Sequence, residues 1–384
     1  MTVRATARGA ERYPLEGTDI DVLICGASFA GLAVARELAG SDASALLVDR
    51  YEVGERATSA CAAPTAWLEA MGVTGAILQE LPYMRFTTPH GSVRYRLPWS
   101  WAAFDYRRLC ELLYAQSEVP FETATVTGRV PGARAAGPIG VQTDRGAISA
   151  RLVVDALGWR RVLGHVRYQP PLMQLSRGLE VHPRVEPGGD ELVVWVDRGL
   201  ARRGYAWCVP AGQEARVGAC SYDGTRHVRA ATLELAERLG TAEGRFQGNW
   251  FPHRLRDATE GGVFFAGDSA GHCFALSGEG IRTAFYFGVA CGRELRAVLE
   301  ERKSLERALI DYHAFSAAHR GAFEFAGRMQ RLVPALPPRL LAAALRALGS
   351  QRTVDRAFGW YLDRAHPRMA APLPAPRTAH AARA

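Results

Sequence analysis

The sequence predicts an α/β fold with an inserted β-rich domain and a helical C-terminal region. Three observations carry this prediction. Between Ile20 and Val48, a short apolar run, a glycine-containing turn, a helical pattern and a second apolar run follow one another, which is typical of a parallel β-turn-α-β unit. The middle of the chain contains β-type runs separated by turn residues. From Leu305 to Arg364 the pattern is helical, apart from interruptions at prolines.

Composition excludes several classes of protein. The chain has 384 residues, of which 48% are hydrophobic and 22% charged, so it is long and apolar enough for two or three domains and is not disordered. It contains no run of about 18 apolar residues, so no membrane-spanning helix is expected, and its start lacks the apolar segment of a signal peptide. Seven single cysteines without metal-ligand spacing predict reduced thiols, no metal and a cytoplasmic protein.

The net charge of +8 is spread over the whole chain. This favours an ordinary solvated surface, with attraction to an anionic substrate, cofactor or membrane surface as the alternative. No basic run is interleaved with aromatic residues, so we expect no nucleic-acid partner.

The turn after the first strand has the form of a loop that binds a pyrophosphate. Gly26 permits the tight turn, Gly31 lets helix and strand approach, and the helix N-terminus offers free N–H groups. Ser28 stands where the middle glycine is usual, so its Cβ narrows the approach while its hydroxyl can donate a hydrogen bond. Asp49 ends the second strand at the spacing of a ribose-binding acid, and Arg50 follows it. A strand-helix turn without a ligand is the alternative.

A second glycine-rich block begins at Gly267. Asp268 follows a buried strand and is placed to accept a hydrogen bond from a ribityl hydroxyl. Gly278 and Gly280 open the next helix, whose N-terminus can face a flavin pyrimidine or a phosphate. Together with the Gly26 loop, this block predicts a two-part FAD site in which the cofactor extends between both.

Three stretches resemble the p-hydroxybenzoate hydroxylase superfamily of FAD-dependent oxidoreductases, and within it the geranylgeranyl reductase family. They are GDSAGHCFALSGEGIRTA from Gly267, GYAWCVPAG from Gly204, and the segment from Gly54 to Ala62 that contains Cys61. The resemblance extends from about Asp19 to Glu300. It implies a Rossmann-like FAD-binding domain with an inserted β-rich substrate domain and C-terminal helices, and FAD as the cofactor.

The resemblance also implies further site residues and leaves the reductant open. The arginine that the family places at the start of a helix falls on Tyr106, so Tyr106 and its neighbour Arg107 are assigned to the FAD site. The superfamily's Asp-Gly motif appears here as Asp155-Ala-Leu157-Gly158, without the second acidic residue that helps NADPH use. The external reductant is therefore NADPH, ferredoxin or a flavin reductase, and an electron-donor protein is a candidate partner.

Catalytic and substrate-binding residues follow from the same stretches. Cys61 is the candidate proton donor to a carbon that receives a hydride at its neighbour, and a small buried hydrophobe is the alternative. Tyr205 and Trp207 stand two apart in a strand, so they share a face and are predicted to form a wall of the substrate cavity; a sheet core is the alternative. The stretch Leu340–Leu348 is amphipathic and either meets a membrane surface or substrate entrance, or caps the main domain.

The leading functional hypothesis is a reductase of C=C bonds in an isoprenoid or other apolar small molecule. A monooxygenase of secondary metabolism is the alternative. Flavin-dependent halogenases need a lysine in the N-terminal half of the chain. The only lysine here is Lys303, in the C-terminal region, so a halogenase is disfavoured. An inactive flavin-fold binding protein is the fourth hypothesis, suggested by Ser28, Leu157 and Ala275, which depart from the family pattern.

Domain boundaries follow from these assignments. We expect a loose tail at 1–18 and a disordered tail at 366–384. The FAD-binding domain is expected at 19–75, 98–165 and 250–300, the substrate domain at 76–97 and 166–249, and the C-terminal helical region at 301–365.

Overall fold

The computed structural model describes residues 13–57, 60–131, 137–164, 175–185, 188–240 and 246–371. In chain order the strands are β1 Thr18–Cys25, β2 Ala45–Asp49, β3 Ala62–Pro64, β4 Ile77–Thr88, β5 Gly91–Phe104, β6 Phe121–Thr123, β7 Val126–Arg129, β8 Ile139–Thr143, β9 Gly146–Asp155, β10 Leu175–Val181, β11 Glu191–Trp195, β12 Gly204–Ala211, β13 Glu214–Ser221, β14 Gln247–Pro252, β15 Thr259–Glu260 and β16 Val263–Phe265. The helices are α1 Phe29–Glu37, α2 Thr65–Ala70, α3 Tyr106–Tyr114, α4 Arg229–Arg238, α5 Ile281–Leu299, α6 Leu305–Ala317, α7 Arg320–Leu332, α8 Pro338–Ala347 and α9 Gln351–Leu362.

The first sheet is mainly parallel and has the order β15-β16-β9-β1-β2-β6, with β7 and β8 joined to β9. β1 lies between β2 and β9 and pairs with both in parallel. Its last four residues are fully buried, since helices cover the sheet, and this explains the continuous apolar run. α1 packs closely on α5 because glycines face it: a Cβ on Gly288 would lie 2.7 Å from the Ala30 carbonyl oxygen. The predicted β-turn-α-β unit is confirmed.

The second sheet has the order β14-β10-β13-β12-β11-β4-β5-β3 and is antiparallel except where β11 meets β4. It includes 62–64, 98–104 and 250–252, which the predicted boundaries assign to the FAD-binding domain. The long hairpin of β4 and β5 explains this difference, because β5 pairs with β4 on both sides of the predicted border, up to Arg96 and again from Trp101 after a register shift.

Both chain ends are more ordered than predicted where the structure describes them. Leu15 is buried and its N–H donates to the Arg145 carbonyl oxygen at 2.7 Å, so 13–17 packs against the first sheet. At the other end, Pro367–Ala370 forms a 3-10 helix and Ala370 is fully buried. The rest of both predicted tails, 1–12 and 372–384, lies outside the described residues. Within the described ranges, no helix has the length and apolarity to cross a membrane.

Candidate functional site

One cavity of about 880 Å³ connects the two sheets with the C-terminal helices. Its wall brings together the predicted site residues Ser28, Asp49, Arg50, Tyr106, Tyr205, Trp207, Gly267, Asp268, Gly278 and Gly280. We call the part near α1 and β2 the cofactor end, and the part formed by β4, β11, β12 and α7 to α9 the substrate end. The volume lies within the range of about 300–1,000 Å³ that is typical of ligand cavities.

The Gly26 turn has the geometry that its glycines predict. Gly26 has φ +110°, and a Cβ there would lie 2.3 Å from the Ala156 carbonyl oxygen. A Cβ on Gly31 would lie 1.8 Å from the Gly26 carbonyl oxygen. Both glycines are therefore required by close backbone approach, and they shape the turn without lining the cavity.

Ser28 precedes α1 in an extended conformation, and its hydroxyl makes no capping hydrogen bond to the helix. Its Oγ lies 3.2 Å from the hydroxyl oxygen of Tyr106, at the N-terminus of α3. The side chain that replaces the usual glycine is thus held by a residue that replaces the usual arginine. Phe29 and Ala30, the first residues of α1, line the cavity beside this pair. The N-terminus of α1, whose N–H groups have no partner within the helix, therefore lies at the cavity wall.

Asp49 holds the turn as well as facing the cavity. Its carboxylate accepts hydrogen bonds from the N–H of Ala27 at 2.8 Å and of Tyr51 at 3.0 Å. Burial raises the pKa of this carboxyl, while the backbone donors oppose that rise. Arg50 lies beside it, with its guanidinium 4.9 Å from the centre of the Tyr51 ring.

Asp268 provides the test of whether the cavity fits FAD. It lies in the 3-10 turn Gly267–Ala270 and faces the cavity, and its carboxylate accepts no hydrogen bond from any residue that the structure describes. Burial raises the pKa of this carboxyl to about 7. This half-buried carboxylate has free acceptor capacity on the cavity wall, and the hydroxyls of a ribityl chain would supply the donors. The cofactor end therefore fits FAD.

A buried network, which sequence reasoning missed, joins the segment that follows β9 to the second glycine-rich block. Asp155, at the end of β9, accepts hydrogen bonds from Ser269 Oγ at 2.6 Å and from the N–H of Leu157 and Leu163. Arg161 donates to the Ser269 carbonyl oxygen at 2.9 Å. The sequence offers no local signal for this network, because Ser269 and Asp155 are 114 residues apart along the chain.

The aromatic pair at the substrate end is positioned by strand packing. Tyr205 and Trp207 lie on β12 with ring centres 5.8 Å apart, and both line the cavity. Trp207 fits because its neighbour on β13 is Gly218, where a Cβ would lie 2.3 Å from the indole ring. The Trp207 indole N–H donates to the buried Glu180 at 3.1 Å.

One turn receives the hydroxyls of three tyrosines, and we call 276–280 the clasped turn. Tyr205 donates to the Ser277 carbonyl oxygen, and Tyr222 donates to that of Leu276 at 2.6 Å. Tyr361 of α9 donates to Glu279 and lies 2.7 Å from the Ser277 hydroxyl. The second sheet and α9 therefore hold the same turn that opens α5.

A buried ion pair completes the attachment of α9. Arg282 is fully buried, with Nε 2.6 Å from a Glu279 carboxylate oxygen, and it also donates to the Leu362 carbonyl oxygen at 2.7 Å. The Glu279 carboxylate raises the pKa of Arg282 against the opposing effect of burial. Sequence reasoning missed the contact with α9 because Leu362 lies 80 residues later in the chain and leaves no local signal, although Glu279 and Arg282 are only three residues apart.

The placement of Cys61 differs from the prediction. Both of its neighbours, Ala60 and Ala62, line the cavity, but Cys61 does not, and its side chain is 1% exposed within the main core. Its backbone has a left-handed φ of +52°, and burial raises the pKa of its thiol to about 12. Cys220 is equally buried and its pKa is also raised to about 12, so the two thiols differ in that Cys220 lines the cavity. The two thiols that line the cavity belong to Cys220 and Cys273. The proton-donor role of Cys61 therefore lacks a geometric basis.

Arg107 is also placed differently. It is exposed on α3 and does not line the cavity, whereas the adjacent Tyr106 does. Its backbone is instead in close contact with Gly54, where a Cβ would lie 2.9 Å from the Arg107 Cα. The N-terminus of α3 thus presents a tyrosine, not an arginine, to the cavity.

The parallel sheet with its glycine turn, the unpartnered Asp268 and the inserted second sheet define an FAD-dependent oxidoreductase. Comparison with known proteins agrees. The chain is 22% identical to digeranylgeranylglycerophospholipid reductase 3 of Methanosphaera stadtmanae over 340 residues, which cover 79% of this chain and 84% of that protein. This match, together with the shared fold described next, shows that the chain is similar to geranylgeranyl reductase-like FAD-dependent oxidoreductases. No protein-family profile matches the chain.

Solved structures share the fold. A geranylgeranyl bacteriochlorophyll reductase-like protein from Thermoplasma acidophilum superposes with a TM-score of 0.77 at 14% identity, covering 92% of this chain and 98% of that one. PqsL, a probable FAD-dependent monooxygenase from Pseudomonas aeruginosa, superposes with a TM-score of 0.63 at 19% identity, covering 89% and 100%. Reductases and monooxygenases thus both use this architecture.

Proposed function

We propose that this protein uses FAD to reduce C=C bonds of an isoprenoid or another apolar substrate. The composition of the substrate end carries the proposal. Fourteen residues between 322 and 361 line the cavity, and none of them is charged. Across the cavity, the second sheet contributes Met84, Phe86, Leu192, Val194 and Val209 to the same wall. An apolar chain is the ligand that such a wall stabilises.

The charged residues of the cavity wall lie mainly outside α7 to α9. Asp49, Arg50 and Asp268 belong to the cofactor end, and Glu180 within the second sheet is already bonded to Trp207 and to Gln247 at 2.8 Å. The arginines of the wall, Arg50, Arg56 and Arg160, lie outside β4, β11, β12 and α7 to α9, so a small anionic substrate would find no cation among the described wall residues of those elements. This distribution supports an apolar substrate over a small charged acid.

The residues of the cavity wall have different roles in such a reduction. FAD, when bound and reduced, supplies the hydride. Asp268 accepts from its hydroxyls, and the clasped turn and the N-terminus of α1 hold its polar groups. Tyr205 and Trp207 orient the apolar chain against the clasped turn, and α7 to α9 exclude water from it.

The reduction also needs a proton, and we assign its donor to the cavity wall. Cys220 lines the cavity and lies opposite Tyr205 in the pairing of β12 with β13. Burial raises the pKa of its thiol to about 12, so at neutral pH it carries its proton. Cys220 thus takes the role that sequence reasoning gave to Cys61.

A monooxygenase remains the second candidate because PqsL has the same fold over most of both chains. A halogenase is disfavoured by position. Nζ of Lys303 lies 2.5 Å from Glu294 and 2.8 Å from Asp311, and Lys303 does not line the cavity.

One experiment separates the candidates. The purified protein is reduced with dithionite without oxygen and mixed with geranylgeraniol or geranylgeranyl phosphate. Reoxidation of the flavin and a product heavier by two hydrogens support the reductase. No reoxidation until oxygen enters, followed by a product heavier by one oxygen, supports the monooxygenase. A colourless protein that does not take up FAD overturns both. NADPH, reduced ferredoxin and a flavin reductase are then compared as reductants.

A further inference from the structure

We propose that α7, α8 and α9 form a surface that docks on an anionic phospholipid membrane and opens the substrate end towards it. We call this the docking surface. The proposal extends the proposed function by saying where an apolar substrate enters. The docking itself rests on the composition of the surface and does not require the reduction.

The outer face of α8 is the first observation. Its inner face buries Leu341 and Ala342 against β4 and β5. The residues that point outwards follow at helical spacing and are apolar and exposed: Leu340, Ala343, Ala344, Ala347 and, just after the helix, Leu348. A helix on the surface of a water-soluble domain normally carries polar residues on that side. The only charged residues of α8 are Arg339 and Arg346.

The rim of the cavity is the second observation. Phe325, Leu348 and Trp360 line the cavity and are nevertheless 50%, 42% and 43% exposed. Phe325 and Trp360 face each other across α7 and α9 with ring centres 5.5 Å apart. Leu332 and Leu340, 50% and 54% exposed, extend the rim outwards without lining the cavity. The mouth of the substrate end is therefore surrounded by exposed apolar side chains.

Charge is the third observation and selects the occupant. Residues 320–371 contain nine arginines and three carboxylates, so this segment supplies most of the net charge of +8 of the whole chain. Among its arginines within the described residues, Arg320 has a carboxylate within 4 Å, in Asp257 at 3.9 Å, and the other eight have none. Apolar side chains flanked by unpaired arginines are the composition of helices that lie in a membrane interface. Anionic headgroups attract each such arginine.

The test measures flotation of the full-length protein with phosphatidylcholine vesicles, with and without phosphatidylglycerol. We expect flotation only with phosphatidylglycerol, and a decrease as salt is added. The double variant Leu332→Ser with Leu340→Ser should lower the partition coefficient by at least about tenfold, since two exposed leucines leave the interface. Arg331→Gln and Arg339→Gln should each lower it about fivefold.

Matched controls lie on other faces. Ile310→Ser removes an apolar side chain that is 52% exposed on α6, and Arg151→Gln removes an exposed arginine of β9. Both should float as the wild type does. Absence of flotation with phosphatidylglycerol overturns the proposal, as does an equal loss in the controls. Saturable binding to a soluble acidic protein without flotation overturns it in favour of a protein partner.

The assay is independent of the chemistry. Leu332 and Leu340 do not line the cavity, so the double variant should reduce a detergent-solubilised substrate at the wild-type rate and lose turnover of substrate held in vesicles. If no substrate is reduced in either form but the vesicles bind, the proposed function fails while the docking surface stands.

Discussion

At the scale of single residues, the cofactor end depends on two carboxylates with different surroundings. The Asp49 carboxylate accepts hydrogen bonds from backbone N–H groups of the glycine turn and of Tyr51. The Asp268 carboxylate has no hydrogen-bond donor among the described residues. Loss of Asp49 therefore deforms the turn itself. Loss of Asp268 removes a contact to the ligand and leaves the turn in place.

Asp268→Ala should lower the affinity for FAD by about 10- to 100-fold, the effect of about 1–3 kcal/mol for a hydrogen bond to a charged group. Quenching of flavin fluorescence on titration of the apoprotein measures it. The unfolding midpoint of the variant should stay at or above that of the wild type. A variant that binds FAD with unchanged affinity contradicts the assignment of Asp268 to the cofactor.

The stability of the apoprotein should depend on pH through Asp268. The folded-state pKa, about 7, lies above the ordinary value of 3.8, so the folded protein binds the proton more tightly than the unfolded chain. The stabilisation is complete below pH 3.8 and is lost as the pH rises to about 7. Asp268→Asn should show a smaller fall in unfolding free energy across this window than the wild type. Equal pH profiles would argue that the carboxyl is solvated.

The cysteines allow a paired test of the proton donor. Cys220→Ser should slow the reoxidation of reduced flavin by substrate about 100-fold, because it replaces a positioned acid. Cys61→Ser is the control and should change that rate by less than about twofold, since its thiol does not face the cavity. Anaerobic stopped-flow absorbance measures both. The opposite ranking would restore the role that the sequence predicts for Cys61.

At the scale of elements, the attachment of α9 rests on the ion pair between Arg282 and Glu279. Both side chains are nearly fully buried, so removing one leaves a charge without a partner. Arg282→Ala should lower the free energy of unfolding by about 3–5 kcal/mol. The exposed pair of Arg238 with Glu234 is the control, and Arg238→Ala should cost about 1 kcal/mol or less. Urea unfolding measures both, and similar costs would contradict the buried-pair argument.

Helices and strands with local sequence signals were predicted correctly, and those that depend on distant pairing were not. The β-turn-α-β unit and the helix after Gly280 were predicted because their signals are local: an apolar run, a glycine that a close approach requires, and an apolar helix. β4, from Ile77 to Thr88, was missed because its burial has no period of two: the buried residues Leu81, Met84 and Thr88 follow one another at spacings of three and four. Its extended form is imposed by pairing with β5 and β11, which lie at a distance along the chain. The β-type run from Phe121 to Val130 forms two strands, because β6 pairs with β2 and β7 pairs with β8.

The same distinction applies to the site. Asp49 and Asp268 were found because each ends a strand at a characteristic spacing. The position of Cys61 in the core, and not on the cavity wall, could not be predicted, because it depends on packing and on a left-handed backbone conformation that has no sequence signature at a non-glycine residue. Glu279 and Tyr361 were missed because their meeting depends on the packing of α9.

At the scale of the whole molecule, two sheets and three C-terminal helices build a cavity whose polarity changes along its length. Long apolar alcohols should therefore shift the flavin absorbance bands on titration, and small carboxylic acids should not. Trp207→Ala should weaken the effect of the alcohols by about tenfold, since an aromatic wall is lost. An equal response to small acids would contradict an apolar substrate end.

The clasped turn has a consequence for how such proteins diverge. Its position is set by Tyr222 of the second sheet and Tyr361 of α9 together with Tyr205, while the wall also includes side chains that make no hydrogen bond to the turn, such as Met84, Leu192 and Leu345. Mutations among these lining residues can change the shape of the pocket while the hydrogen bonds to the turn persist. The cofactor end can thus be inherited unchanged while descendants of one ancestral gene acquire different substrates.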